Sequence, residues 1–315
     1  MNIVVSGSLA YDRIMDFPGL FADHILPEKI HNINVCFMVN GLQEKFGGTA
    51  GNIAYNLALL GTSPLIVAAA GKDFGRYRQW LLDHHLSLEG IRQVDEEFTA
   101  GAYITTDRAN NQITGFNPGA MNRSAHYDFN GLDPTDALGI IAPGNLEDMR
   151  AHSRRFKEMG LRYIFDPGQA IPALSAADLI EMTTGAALLI SNDYEMEMIK
   201  RATGLDLAQI LKRCPAVITT LGENGSILHG ADGAVSIEAA VNDGVVDPTG
   251  AGDAYRAGVL MGMAQGRDLV TCARMGSVCA SYSVSHHGTQ THHFTPEDFW
   301  GRFEACYGRP MRQPV

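Results

Sequence analysis

Asp247-Pro248-Thr249-Gly250-Ala251-Gly252-Asp253 is the stretch on which the fold turns. Residues 241–246 before it have strand-like composition, and residues 254–264 after it contain no proline and many good helix formers. A short glycine turn therefore feeds a helix start. The first turn of a helix carries free backbone N–H groups and a partial positive charge, which together suit an anion. Gly250 and Gly252 lack a Cβ, so a phosphate can come close to the backbone. Asp253 stands at the lip of that pocket. A carboxylate beside a phosphate is costly unless it has a task such as taking a proton. The same residues also fit a plain helix N-terminus with an acidic residue favoured by the dipole, and spacing alone does not separate the two.

Working outward, 315 residues suggest one large domain, or a domain with a sizeable appendage. Hydrophobic residues make up 45% of the chain, enough for a substantial core. A net charge of −11 and the lack of a Lys/Arg cluster argue against a nucleic-acid surface. ATP remains compatible with an acidic chain, because phosphate is captured locally. The cysteines Cys36, Cys214, Cys272, Cys279 and Cys306 are odd in number and scattered, with no C-x-x-C. They fit reduced thiols in a cytoplasmic protein. The start of the chain reads as a strand and not a signal peptide, and no apolar run approaches the roughly 18 residues a membrane span needs.

From residue 65 onward the pattern is regular. Strands are expected at 65–70, 138–142, 163–165, 188–190, 216–219 and 226–229. Helices are expected at 73–84, 146–159, 175–183, 194–202, 269–283 and 295–306. Such alternation predicts an α/β fold with a mostly parallel sheet covered on both faces. Residues 30–39 alternate loosely, and 99–106 with 112–116 read as a hairpin around an Asn-rich turn. These predict a small β-sheet lid built from residues 13–46 and 95–119. The large domain is then 1–12, 47–94 and 120–315.

Polar residues fall at the strand ends, where ligands bind in open α/β sheets. Asp12 follows the first strand, and Asp166, Asn192 and Thr219 end later ones. Gly47 and Gly48 make a turn before a helix whose first turn holds Asn52. Glu195 stands three residues after Asn192; the pair fits a capping box as well as a hold on hydrated Mg²⁺. Gly222 and Gly225 would let a nucleotide approach, or simply make a hairpin turn. Gly276, Ser277 and Cys279 leave their helix small-sided enough to flank a flat base. His286-His287 and His292-His293 lack partners at metal-ligand spacing, so no transition-metal site is expected.

Taken together, these motifs resemble the PfkB or ribokinase family of ATP-dependent small-molecule kinases. The stretch from Asp247 to Asp253 looks like its C-terminal signature, and Gly47-Gly48 with Asn52 like its N-terminal one. Asn192-Asp193-Tyr194-Glu195 is similar to its Asn-x-x-Glu motif, and Thr219 to Gly225 to its nucleotide-binding turn. The resemblance covers residues 1–306. Pro248 departs from the Thr of many members, while Thr249 and the glycines are intact. Gly7-Ser8-Leu9-Ala10-Tyr11-Asp12, His24-Ile25-Leu26-Pro27, residues 46–55 and 111–120, and Phe165-Asp166-Pro167-Gly168-Gln169 look like a bacterial and archaeal branch of adenosine or broad-specificity nucleoside kinases. No P-loop and no G-x-G-x-x-G after the first strand is present, which sets aside P-loop kinases and Rossmann oxidoreductases.

The resemblance implies a ribokinase-like fold and phosphorylation of a nucleoside 5′-hydroxyl by ATP. It implies that Asp253 takes the hydroxyl proton while amides at Gly250, Ala251, Gly252 and Asp253 form an anion hole. Asp12, Gly47, Gly48, Asn52, Phe116 and Asp166 would meet the nucleoside, beneath an apolar lid that includes Phe37, Met38 and Phe116. Asn192, Thr219, Gly222, Gly225 and Cys279 would line the ATP site. Glu195 would hold Mg²⁺ through water, and Asp247 with Thr249 would allow a monovalent cation such as K⁺. The lid's edges need covering, which allows a homodimer through the lid. A sugar kinase and a non-catalytic nucleotide-binding regulator are the alternatives on the same fold.

Overall fold

The computed structural model describes residues 1–25, 31, 32 and 34–309. Residues 26–30, Ile33 and residues 310–315 lie outside the described residues, and with them Leu26 and Pro27 of the branch-like stretch and two positions of the loosely alternating one. The chain opens with β1 (Asn2–Ser6), β2 (Ala10–Asp16), β3 (Asn40–Gly47) and α1 (Thr49–Leu59). It continues through β4 (Leu65–Gly71), α2 (Gly75–Asp83), β5 (Ile91–Val94) and the hairpin β6 (Ala100–Thr106) and β7 (Gln112–Asn117). Then come β8 (Ala137–Ile141), α3 (Leu146–Met159), β9 (Arg162–Phe165), α4 (Ala176–Thr183), β10 (Leu188–Asn192), α5 (Asp193–Thr203) and α6 (Leu207–Leu211). The last elements are β11 (Val217–Thr220), β12 (Ser226–Gly230), β13 (Gly233–Ile237), α7 (Ala251–Ala264), α8 (Leu269–Ser283) and α9 (Pro296–Tyr307).

Among the described residues a nine-stranded sheet runs β13-β12-β11-β10-β9-β8-β1-β4-β5. Neighbours from β11 to β5 are parallel, and β12 and β13 close one edge antiparallel. Period-two side chains feed two cores. Ile3 and Val5 enter one with Ile53 of α1, Leu81 of α2, Leu260 of α7 and Ala273 of α8. Val4 enters the other with Phe156 of α3, Leu179 of α4, Met196 of α5 and Ile210 of α6. Strands covered on both faces read as nearly unbroken apolar runs, which is why the alternation was visible in the sequence. No helix among the described residues is long and apolar enough to cross a membrane.

A four-stranded sheet, ordered β3-β2-β6-β7, stands beside the body. Two expectations change here. Residues 34–39 form no strand; the lid's remaining strands are β2 and β3, on either side of that stretch. Phe37 instead packs on Phe17 and Phe21, and Met38 is exposed. The β3 sequence is mostly polar, so its pairing is carried by partners such as Arg13–Glu44 at 2.9 Å, which leave no apolar alternation to read. Residues 241–246 form no strand either. The Asn242 side chain accepts from Gly244 N at 2.9 Å and Gly244 lies at φ +105°, so a turn interrupts the valines. The edge strand is the earlier β13.

Candidate active site

The helix start opens with Gly250 at φ +80°, ψ −3°, a left-handed conformation that favours glycine. A Cβ there would also lie 2.8 Å from Cγ2 of Thr289. The N–H of Ala251 is turned onto the Pro248 carbonyl at 3.2 Å. That leaves Gly252 and Asp253, in the first turn, as residues whose N–H groups have no partner inside the helix. Asp247 braces the turn from below. Its Oδ1 accepts from Thr249 N and its Oδ2 from Gly288 N, each at 2.9 Å. These bonds hold its carboxyl below the usual range despite partial burial.

A cavity of about 710 Å³ lies over this turn, with Asn192, Glu195, Gly222, Gly225, Asp253 and Arg256 in its wall. The Asn192 side chain caps α5 by accepting from Glu195 N at 2.7 Å, and Glu195 Oε2 returns the bond from Asn192 N at 2.8 Å. The capping box thus exists, and the carboxylate still faces the cavity. Gly222 at φ +58° and Gly225 at φ +80° hold the turn after β11. Thr219 lies within β11, paired to Ser191 and Ile227, and Thr220 is the threonine that reaches the cavity. Cys279 also misses it, because its side chain is buried with Tyr55 and Phe294. Ser277, Ala280 and Ser281 present the cavity-facing side of α8.

Asp253 is met by Asn52, whose Nδ2 donates to Oδ2 at 2.8 Å. Burial pushes the Asp253 carboxyl up to about 7, against Arg256 and Asn52, which pull it down, while Asp166 and Glu195 reinforce the rise. Arg256, one turn along α7, is buried. Its Nη2 donates to Asp166 Oδ1 at 2.7 Å, its Nε lies against Asp166 Oδ2, and Nη2 stands 3.9 Å from Glu195. The structure therefore makes Asp166 the buried counter-ion of Arg256, at the wall of the same cavity. Arg256 has no precedent in the sequence reading, although its i+3 spacing from Asp253 puts both on one helix face.

The lid strands carry Asp12, Gly47 and Phe116. Asp12 does not sit in a turn after β1; it lies within β2. Lys45, Asp12, Ala102 and Phe116 form one cross-strand row, so they share a face of the lid sheet. Gly47 lies against Asp12: a Cβ on it would come within 2.7 Å of Asp12 Oδ2. Gly48, at φ +86°, is packed against the Ser8 carbonyl. Burial raises the Asp12 carboxyl, nearby Asp247 adds to the rise, and Lys45 offsets it. The loop after α8 supplies Gln290, which bonds Asn52. Nothing local could have marked it, since its partners come from α1 and α2. Among the described residues no group of three or more His, Cys, Asp or Glu side chains is arranged to hold a metal ion.

Residues 10–296 match the model of the pfkB family carbohydrate kinases. The chain is 32% identical over 268 residues to a nucleoside kinase of Methanocaldococcus jannaschii, covering 84% of this chain and 87% of that one. It superposes with a TM-score of 0.85 on the nucleoside kinase of Burkholderia thailandensis in complex with inosine, at 36% identity and 98% coverage of both chains. Against the ADP-inosine complex of that same protein the TM-score is 0.84, at 37% identity, covering 99% of this chain and 98% of that one.

Proposed function

The chain belongs to the pfkB family of carbohydrate kinases, and on that premise we propose that it transfers the γ-phosphoryl group of ATP to the 5′-hydroxyl of a nucleoside, giving the nucleoside 5′-monophosphate. The observation that carries the reading is the placement of Asp253. Its carboxylate lines a large cavity at a helix start and accepts from Asn52, whose bonded partners Gln290 and Tyr77 lead to Gly47 beside Asp12 of the lid. The relatives named nucleoside kinase, one of them bound to inosine and to ADP-inosine, support a nucleoside as acceptor. Adenosine or a broad set of purine and pyrimidine nucleosides is the proposed range.

In this reading Asp253 takes the 5′-hydroxyl proton as that oxygen attacks the γ-phosphorus. A base with its carboxyl near 7 matches proton transfer at neutral pH. The N–H groups of Gly252 and Asp253 meet the charge that develops on the transferring group, where fixed dipoles count most. Asp12 accepts from the ribose hydroxyls, and Gly47 gives it room. Phe116 and its neighbours close over the base and exclude water, which would otherwise compete for the phosphoryl group.

The donors present are hard oxygens, which fit Mg²⁺ and not a thiolate-seeking metal. Glu195, with Oε2 engaged in its cap, is the carboxylate that would hold hydrated Mg²⁺; the ion would neutralise phosphate charge. Asp247 keeps a lone pair on each bonded oxygen, so it and Thr249 fit a weakly held monovalent cation such as K⁺. A lid-paired homodimer remains part of the proposal.

A second reading, a sugar-phosphate kinase, draws on one observation: Lys45 shares the acceptor-facing row with Asp12. Its ammonium is already engaged with the His287 carbonyl at 3.3 Å, which weakens that reading. An ATP-consumption screen across nucleosides, sugars and sugar phosphates tests the proposal. Turnover of nucleosides supports it; turnover of sugars or sugar phosphates alone overturns it.

A further inference from the structure

Asn52 presents an amide to Asp253, and an amide has two faces. With its N–H toward the carboxylate it stabilises the charged base. With its carbonyl there it would accept a proton-bearing carboxyl and stabilise the form that cannot act as a base. The difference bears directly on Asp253, whose carboxyl already sits near neutrality.

Four hydrogen bonds decide which face is shown. Trp80 Nε1 stands 2.9 Å from Gln290 Oε1, and an indole N–H can only donate. The oxygen of the Gln290 amide is thereby fixed toward Trp80, and its nitrogen toward Asn52 and Tyr77. Gln290 Nε2 then donates to Asn52 Oδ1 at 3.0 Å and to the Tyr77 hydroxyl at 2.7 Å, using both of its protons. Burial raises the Tyr77 phenol well above its ordinary value, so it stays neutral and donates its own proton to the Gly47 carbonyl at 2.7 Å. With Asn52 Oδ1 occupied by a donor, only Asn52 Nδ2 is left to face Asp253. Gln290 is buried, and so are Asn52 and Tyr77. Reversing either amide would set two donors or two acceptors together away from water and leave buried polar groups unsatisfied.

We propose that Trp80 and Gln290 are positioning residues that lock the Asn52 amide with its N–H toward Asp253, keeping the carboxylate ready to accept a proton. The proposal rests on Asp253 being the base. The same chain ends at Gly47, the last residue of lid strand β3, so it also ties the acceptor side of the site to the base. Gln290 touches neither substrate nor base. It acts through Asn52.

The charged groups facing Asp253 are Arg256 on its own helix, Asp166 just past β9 and Glu195 on α5. Tyr77 stands behind Asn52, with Asp12 beyond it. None of these changes in the variants that test the idea. Single-turnover phosphorylation of the best nucleoside is followed against pH for wild type, Gln290→Glu, Gln290→Leu and Trp80→Phe. Gln290→Glu offers Asn52 an acceptor and turns its carbonyl to Asp253. The acidic limb is expected to move up by about one unit or more, with a rate loss of about tenfold near pH 7 that recovers at high pH. Gln290→Leu adds no charge and frees the amide, and Trp80→Phe frees Gln290; both move the limb in the same direction by less. An unmoved limb in the folded Gln290 variants overturns the proposal. If neither Gln290 variant folds, the limb of Trp80→Phe decides in the same way. Asp253→Asn separates the two readings. If it keeps near-normal turnover, the base assignment fails. If it is inactive while the limbs stay put, the positioning proposal fails alone.

Discussion

Asn52 and Asp253 lie 201 positions apart in the chain and 2.8 Å apart in the fold. The contact joins the first turn of α1 to the first turn of α7, so two helix starts converge on one carboxylate. It also leaves Asn52 with a different task from the one its sequence position suggests. Its amide is held between Gln290 and Asp253, so in the proposed reaction contact with the ribose would fall mainly to Asp12.

Removing the carboxylate tests the centre of the site. Asp253→Asn is expected to lose at least ~10²-fold in turnover while nucleoside and ATP still bind, measured by initial rates and by calorimetry. In the wild type the rate should climb as pH rises through about 7, since the base must be deprotonated. Stability runs the opposite way. A carboxyl raised in the folded state holds its proton longer than in the unfolded chain, so stability falls as pH rises from its ordinary value through about 7. Asp253→Asn is therefore expected to melt higher than wild type at pH 8, by on the order of 1–3 °C, with the gap closing in acid. Near-normal turnover would remove Asp253 from the mechanism as the base.

Gly47 owes its lack of a side chain to Asp12, whose Oδ2 would lie 2.7 Å from a Cβ. Gly47→Ala should displace the carboxylate from its place in the lid row. The expected result is a rise in KM for the acceptor of ~10-fold or more, with KM for ATP unchanged, because the ATP-side cavity lies across Asp253. Equal effects on both KM values would place Asp12 elsewhere in the reaction.

In the first turns of α7, Arg256 forms a buried pair with Asp166. Asp166→Ala leaves the guanidinium without its main counter-charge and should cost about 3–5 kcal/mol in urea unfolding. Pairing Asp166→Leu with Arg256→Met should recover much of that stability, because an apolar pair needs no compensation. If the double variant is as unstable as the sum of the single ones, the two side chains are not coupled as the geometry indicates.

The body of the fold was legible because its strands are covered on both faces and its helices carry caps. α3 begins after Asn145 and stops at Gly160, and the sequence marks both ends. The lid was half legible. Its hairpin alternates around Asp107–Asn111, but β3 hides in a polar run whose partners lie on β2. Helical periodicity keeps Cys279 out of the cavity: Ser277, Ala280 and Ser281 share the cavity-facing side of α8, and position 279 points away into the core. Gln290 carries no local signal at all, because its bond to Asn52 spans 238 positions.

Glu195 holds two readings that a single substitution can separate. Its Oε2 caps α5 by accepting from Asn192 N at 2.8 Å, and its carboxylate also faces the cavity. A glutamine keeps an oxygen for the cap, as Gln209 does for α6, where it accepts from Asp206 N at 2.9 Å. It lacks the negative charge that would draw a hydrated divalent ion. Glu195→Gln should therefore keep the cap and lose only the long 3.9 Å pairing with Arg256, changing the unfolding free energy by about 1 kcal/mol or less. The Mg²⁺ concentration for half-maximal rate should rise about tenfold or more, as expected when an outer ligand is lost. Loss of stability with an unchanged Mg²⁺ requirement would assign the residue to the cap alone. The metal's protein contact would then have to be sought elsewhere along the cavity wall, with Asp193 the nearest remaining carboxylate in sequence.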